Sequence, residues 1–322
     1  MNYLKTLLGI SLLTCASTSF SGPITLHTIN GSVNDVYSFD WLPGTSYTIG
    51  ASQNSIQNGS VLNSYIQGSL GNLIDDNGQT MNNLGLNDDY EITFVAGFKE
   101  VVFGINNSIN PITNQVTQTT NFASINDPFN YFQIWYDTNT NSNPLTGTGF
   151  NDGQLIASGT ILPGGGGNIS STFAFSNDPN NPVSTNPNDY PLLDQFGNND
   201  WNNTRTNLGI GGSVFQAQTD NLDQSVLDIG DPNSTLNILL NASQKLAFNE
   251  TNPSKQYVDE FGNLQTINVG TINGITGPGV SLQVDSNSSF SITPVPILPS
   301  IWLMMSGLIG MLFIGRRTPI TK

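Results

Sequence analysis

The stretch of this chain whose spacing best suggests a ligand site begins at Asp137. Asp137, Asn139 and Asn141 place side-chain oxygens at alternate positions, as loops that bind hard cations such as calcium do. The stretch is not an EF-hand, because Ser142 stands where that loop needs glycine and Thr148 where it needs glutamate. A turn in which these side chains bind their own backbone explains the same residues. We predict a calcium site here, with that turn as the alternative.

Residues for other catalytic chemistry are scarce. His27 is the only histidine, and the only cysteine is Cys15. We therefore expect neither a histidine-based zinc site nor a Ser-His-Asp triad. Two carboxylates could still hydrolyse a glycosidic bond if they faced each other at roughly 5 to 9.5 Å. The acidic residues that could supply such a pair are Asp75, Asp76, Asp88, Asp89 and Glu91.

Four aromatic residues are candidates for stacking on sugar rings, namely Trp41, Tyr131, Trp135 and Trp201. Tyr131 and Trp135 alternate with Phe132, Ile134 and Tyr136, so the two sets lie on opposite faces of a predicted strand. One of those faces could be open to a ligand. Burial in the core is the favoured alternative, because both faces of a central strand in a sandwich can be covered.

The elements that must position these residues are short antiparallel strands. Residues 90, 92, 94, 96 and 98 form an apolar stripe of period two, with Glu91, Thr93 and Val95 on the other face. A weaker stripe comprises residues 155, 157, 159 and 161, and a short helical turn is predicted near residues 242–248. Residues 163–168, with four consecutive glycines, and the proline-rich residues 176–190 are predicted surface loops. We predict an all-β fold, an antiparallel β-sandwich, in preference to a closed sheet or a solenoid.

The charge of the body limits its partners. Between residues 22 and 315 the chain has four basic and 23 acidic residues, a net charge of −19. Such a surface repels nucleic acid and attracts divalent cations or basic partners, so nucleic-acid binding is rejected. Without Cys15 this body has no cysteine, so no disulfide can stabilise it.

The N-terminal segment has the layout of a signal peptide. A basic start is followed by apolar residues 7–13, and Ser19 and Ser21 supply the small residues that precede a cleavage site before Gly22. We therefore predict a signal peptide over residues 1–21. The alternative is lipidation of Cys15, which follows a degraded lipobox at residues 12–14.

The C-terminal segment is predicted to cross a membrane. Residues 297–314 carry no charge, and as a helix they would span about 27 Å, close to the thickness of a bilayer core. Arg316 and Arg317 follow at once, which places residues 318–322 in the cytoplasm and the acidic body outside.

The tail VPILPSIWLMMSGLIGMLFIGRR, residues 295–317, resembles the PEP-CTERM class of sorting signals in its VPLPA-type variant. The matching residues are Val295, Pro296, Pro299, Trp302, Arg316 and Arg317. The resemblance implies a transient anchor over residues 294–317, cut by a membrane protease of the exosortase type. A permanent anchor is the alternative. The domain prediction is completed by a single β-sandwich body over residues 22–293.

The body resembles the flocculation-associated PEP-CTERM proteins of exopolysaccharide-producing bacteria. The motifs that carry the likeness are SFDWLPGTSY (38–47), NDDYEITFVAGF (87–98), FQIWYDTNTN (132–141), GTGFNDGQLIASGTI (147–161) and NSSFSITPVP (287–296). The resemblance implies a non-enzymatic protein of a Gram-negative cell surface or extracellular matrix, associated with exopolysaccharide, biofilm or floc formation. The alternatives are a glycoside hydrolase and a permanently anchored carbohydrate-binding protein.

Overall fold

The structure is a computed structural model. It describes residues 22–50, 56–109, 111, 116–144, 146–173, 208–230, 234–246, 254–258, 264–268, 271–275 and 280–294. The predicted signal peptide, the loop at residues 176–190, Trp201 and the sorting signal with Val295, Pro296, Pro299, Trp302, Arg316 and Arg317 lie outside these ranges.

The described residues form strands joined by turns, and they contain no helix. The strands are β1 (Ile24–Thr28), β2 (Gly31–Val36), β3 (Ser38–Ile49), β4 (Val61–Ile74), β5 (Glu91–Ile109), β6 (Val116–Ser124), β7 (Tyr131–Asp137), β8 (Gln154–Ile161), β9 (Gly166–Phe173), β10 (Leu208–Leu222), β11 (Leu227–Asp228), β12 (Ser234–Leu246), β13 (Ser254–Val258), β14 (Leu264–Asn268) and β15 (Val280–Pro294). All the pairings between them are antiparallel. The prediction of an all-β antiparallel fold is confirmed. Nowhere in the described ranges is there a helix with the length and apolar character needed to span a bilayer.

The largest sheet closes on itself. Its pairings run β12–β15–β3–β4–β5–β7–β8–β10 and return from β10 to β12. The strands β6 and β9 make a second bridge between β5 and β10. This closure leaves no free edge along the circuit of described strands, so their backbone N–H and C=O groups can bond to neighbouring strands.

Two long strands make the double bridge possible. The first half of β5 pairs with β7, and its second half pairs with β6. In the same way, the first half of β10 pairs with β9 and its second half with β8. Each of these strands therefore changes partner midway. The 19-residue β5 contains Glu91 and Glu100, which are discussed below.

The interior of the circuit is apolar toward one end, which a small sheet covers. The strands β11, β1 and β2 form that sheet, and their residues Ile24, Leu26 and Val36 belong to the same buried cluster as Phe94, Phe132 and Ile238 of the circuit. The backbone N–H of Ile29 donates to the Tyr136 hydroxyl at 3.0 Å, which fixes this cover to β7. We call this the covered end. The opposite end, where β4 begins and β3 finishes, is called the far end.

Three local predictions are wrong. Leu155 is 38% exposed while Ile156 is buried, because the register between β7 and β8 shifts between Ile134 and Trp135. Residues 242–246 are not a helical turn, since they pair with β15 as part of β12. The predicted glycine loop ends earlier than expected, and β9 begins at Gly166.

Candidate functional site

The predicted calcium residues lie at the start of the loop that joins β7 to β8. Asp137 is the last residue of β7, and its Oδ1 accepts the backbone N–H of Asn139 at 2.8 Å. This is the side-chain-to-backbone turn that competes with the calcium interpretation. Among the described residues, no three His, Cys, Asp or Glu side chains come together to hold a metal ion. Calcium binding by Asp137, Asn139 and Asn141 stays a prediction.

The β7–β8 loop is fastened to the sheet by a buried carboxylate. Glu91 stands opposite Asp137 in the β5–β7 pairing and is 3% exposed. It accepts the backbone N–H of Asn141 at 2.9 Å, the backbone N–H of Ser142 at 3.1 Å and the Ser142 hydroxyl. Burial raises the pKa of Glu91, although the hydrogen bonds from Ser142 and Asn141 oppose that effect. Both oxygens of Glu91 therefore accept hydrogen bonds, and the residue holds the β7–β8 loop against the sheet.

Asn141 ties the two ends of this loop together. Its Nδ2 donates to Asp152 Oδ2 at 3.2 Å, and its buried Oδ1 has no hydrogen-bond partner. Gly149 lies so close that a Cβ at that position would stand 2.1 Å from Asn141 Oδ1, and its φ of +80° also favours glycine. The loop thus brings Asn141 beside Asp152, a neighbour that sequence spacing did not identify.

We expect Glu91→Gln to loosen this loop. An amide presents one acceptor oxygen where the carboxylate presents two, so at least one of the three donors on Asn141 and Ser142 loses its partner. Losing a hydrogen bond to a charged group lowers the free energy of unfolding by about 1.5–3 kcal/mol. Urea unfolding measures the change. The matched control is Asp88→Asn, which changes an exposed acid close to Glu91 in the sequence. Equal stability of both variants would contradict the anchoring role.

The candidate aromatic residues have different surroundings. Trp41 is in the core, where its ring contacts Phe94 at 4.6 Å between centroids and its Nε1 donates to Ser288 Oγ at 2.6 Å. Tyr131 and Trp135 lie on the opposite face of β7 from Phe132, as predicted, and both are half-buried. Trp41 is therefore a core residue, and among the candidates that the structure describes, Tyr131 and Trp135 retain some exposed surface.

The outer face beside Tyr131 is covered by residues 271–275, which we call the 271–275 segment. Ile272 packs against Tyr47 and Tyr65 on that face. Asn273 donates its backbone N–H to Gln67 Oε1 at 3.1 Å and its Nδ2 to the Ala96 carbonyl at 2.6 Å. No sequence pattern predicts this contact, because it joins residues 177 positions apart through a backbone carbonyl.

The single histidine does stand between a serine and an aspartate. His27 Nδ1 lies 2.7 Å from Ser32 Oγ across the β1–β2 pair, and His27 Nε2 lies 4.0 Å from Asp228 Oδ2. The separation from the carboxylate exceeds hydrogen-bonding distance, and the side chains of both His27 and Asp228 are about two-fifths exposed. In a catalytic triad the aspartate is buried and hydrogen-bonded to the imidazole. The arrangement is a solvated surface cluster.

Two of the acidic residues considered for glycoside hydrolysis, Asp75 and Asp89, accept hydrogen bonds from nearby loops. Asp75 Oδ1 accepts the backbone N–H groups of Asn77 and Gln79 at 2.9 and 2.7 Å, and Asp89 Oδ2 accepts Asn30 Nδ2 at 2.8 Å. Among the described residues, the carboxyl groups whose pKa is raised are those of Glu91 and Glu100. They are on opposite faces of β5 and nine residues apart, about 30 Å along a strand. That spacing is far outside the range for a pair of glycosidase carboxylates.

Glu100 is the functional candidate that sequence reasoning missed. It continues the alternation of Phe94, Ala96 and Phe98, so period two places it inside the sheet. An acidic residue in phase with an apolar stripe was the available signal. Glu100 has no acidic neighbour in the sequence, so it does not belong to any cluster of acids that would indicate paired carboxylates.

No known protein family, curated protein or solved structure matches the chain.

Proposed function

We propose that the chain is an exported, non-enzymatic protein of the cell surface or extracellular matrix that associates with exopolysaccharide. The observation that carries the proposal is the sequence of the tail, with its proline motif, Trp302, uncharged apolar run and Arg316-Arg317 pair. An exosortase-type protease would process this tail after transit through the inner membrane of a Gram-negative bacterium. The signal-peptide layout of residues 1–21 supports the same route.

The body is proposed to present polar side chains to polysaccharide from the outer face of its closed antiparallel sheet. The outer surfaces of its strands carry hydroxyl and amide groups in cross-strand pairs. Thr119 and Ser170 are joined at 2.8 Å between hydroxyl oxygens, and Asn72 Nδ2 donates to Asp40 Oδ2 at 2.9 Å. Such groups hydrogen-bond sugar hydroxyls, and calcium held by the acidic surface could cross-link anionic polymers.

The sequence leaves two alternative functions open, a glycoside hydrolase and a permanently anchored protein. For a glycoside hydrolase, the carboxyl groups of Glu91 and Glu100 do not face each other, so no observation favours that activity. For a permanently anchored protein, the discriminating measurement is mass spectrometry of the mature C-terminus. Retention of Arg316 and Arg317 would support the permanent anchor and contradict processing by an exosortase.

A pull-down of the exported protein with matrix polysaccharide, with and without calcium, tests the proposed function. We expect the protein to be retained by polysaccharide, and deletion of its gene to reduce floc formation. Retention that is lost with a chelator would assign the interaction to calcium. Absence of retention in both conditions, together with unchanged aggregation of the deletion strain, would contradict the proposal.

A further inference from the structure

Glu100 is a buried acid with incomplete hydrogen bonding. It is 4% exposed, and its Oε2 accepts the hydroxyl of Ser64 at 2.5 Å. The Ser64 hydroxyl lies 3.1 Å from Thr48 Oγ1 on the next strand. The second carboxyl oxygen of Glu100, Oε1, is buried and has no hydrogen-bond partner. We call Thr48, Ser64 and Glu100 the polar layer.

The polar layer lies between two apolar clusters. Toward the covered end, the rings of Phe98 and Phe215 are 4.4 Å apart between centroids. Toward the far end, Leu62, Val102 and Val284 form a separate buried cluster. Leu62 is the residue directly opposite Glu100 in the β4–β5 pairing, and Val102 is two residues beyond Glu100. An ionised Glu100 would therefore carry its charge into apolar surroundings.

The described side chains that pair with Glu100 or belong to the adjoining clusters offer it no counter-charge. They are Leu62 and Ser64 on β4, Thr48 on β3, Ser124 on β6, Phe215 on β10 and Val284 on β15. The charged neighbours on these strands point outward: Lys99 pairs with Asp127 at 2.8 Å, and Asp220 and Asp285 are exposed. Ionisation of Glu100 is thus opposed by burial and assisted by a single donor, Ser64.

Burial raises the pKa of Glu100 from its ordinary value of 4.5 to about 7, against the opposing hydrogen bond from Ser64. The folded protein therefore binds this proton more tightly than the unfolded chain does. The resulting stability is full below about pH 4.5 and is lost as the pH rises through about 7.

We propose that the protonation state of Glu100 controls how often the far end of the fold opens. When Glu100 is neutral, the polar layer packs between its two apolar clusters. When it is ionised, the carboxylate draws water toward Leu62, Val102 and Val284, and this end opens more often. The proposal concerns the fold itself and does not depend on the polysaccharide association.

The titration of Glu100 can be observed directly on the full chain. The sequence has only four glutamates, Glu91, Glu100, Glu250 and Glu260, so labelling glutamate carboxyl carbons with ¹³C gives four signals. The signal that disappears in Glu100→Gln is that of Glu100, and we expect it to titrate near pH 7. Removal of the only donor in Ser64→Ala should shift its midpoint to higher pH. A Glu100 midpoint near 4.5, or a downward shift in Ser64→Ala, would overturn the proposal.

Hydrogen exchange on the same full chain tests the opening. Between pH 5.5 and pH 8.5, after correction for intrinsic rates, we expect protection at Leu62 and Val102 to fall about 30-fold. Protection at Phe94, near the covered end, should change less. In Glu100→Gln the fall at Leu62 and Val102 should disappear. If the variant retains the fall, another group controls this end and the proposal is wrong.

Discussion

Replacing Phe94 with alanine is expected to lower the free energy of unfolding by about 3–5 kcal/mol, the usual range for a fully buried phenylalanine. Phe94 is 1% exposed and belongs to the main buried cluster inside the circuit. Its ring centroid is 4.6 Å from that of Trp41 and 5.9 Å from that of Phe132. Gly68 on the neighbouring strand leaves room for the ring, since a Cβ there would stand 2.7 Å from it. Alanine would leave a cavity that three strands border.

Phe103→Ala is the matched control, because Phe103 is on the same strand and is 62% exposed. We expect that variant to change stability by at most about 0.5 kcal/mol, as surface substitutions usually do. Urea unfolding of both variants and the parent chain gives the comparison. Equal losses in the two variants would mean that the alternation of β5 is not inside and outside as described.

The alternation of β5 was predictable because it depends only on neighbouring residues. Residues 90, 92, 94, 96 and 98 form one stripe, and their side chains enter the core together. The same holds for Phe132, Ile134 and Tyr136 on β7. The turn glycines were also predictable in part, since Gly31, Gly59 and Gly78 follow asparagine and have positive φ.

The order of the strands was not predictable from such patterns. The halves of β5 pair with different strands, and nothing local marks Gly97 to Lys99 as the place where the partner changes. No sequence pattern predicts the register shift between Ile134 and Trp135 either. This shift is the reason that Leu155 points outward. Pairing is decided by which faces can be buried together, which is a property of the whole chain.

The glycine run within residues 163–168 predicts a surface loop, because glycine is common in loops. In the structure, Gly166 and Gly167 begin β9 between β6 and β10. A Cβ on Gly167 would stand 1.9 Å from the Gly212 carbonyl oxygen, so the strands can approach this closely only without side chains. The contact at the candidate site was not predictable for the same reason. Asn141 and Asp152 meet through a loop in which Gly149 must lie very close to Asn141.

Gly147→Ala is expected to displace the 271–275 segment from the outer face of the sheet. A Cβ at Gly147 would stand 1.4 Å from the Thr271 carbonyl oxygen, a separation that no side chain can tolerate. The segment would then lose the burial of Ile272, worth about 1.5–3 kcal/mol, and the hydrogen bonds of Asn273 to Gln67 and Ala96, worth about 0.5–1.5 kcal/mol each. Ordering the segment opposes these gains, so we expect a net loss of about 2–4 kcal/mol beyond backbone strain.

Gly78→Ala separates the strain of the backbone from the loss of the contact. Gly147 and Gly78 have φ values of +72° and +74°, but a Cβ at Gly78 meets nothing within 4 Å. Both alanines therefore carry a similar conformational cost, and only Gly147→Ala strikes Thr271. The difference in urea unfolding between the two variants, together with hydrogen exchange at residues 271–275, isolates the contact. If exchange in this segment were the same in both, the segment would not be docked against the β7–β8 loop, and the covering of Tyr47 and Tyr65 that depends on it would have to be abandoned.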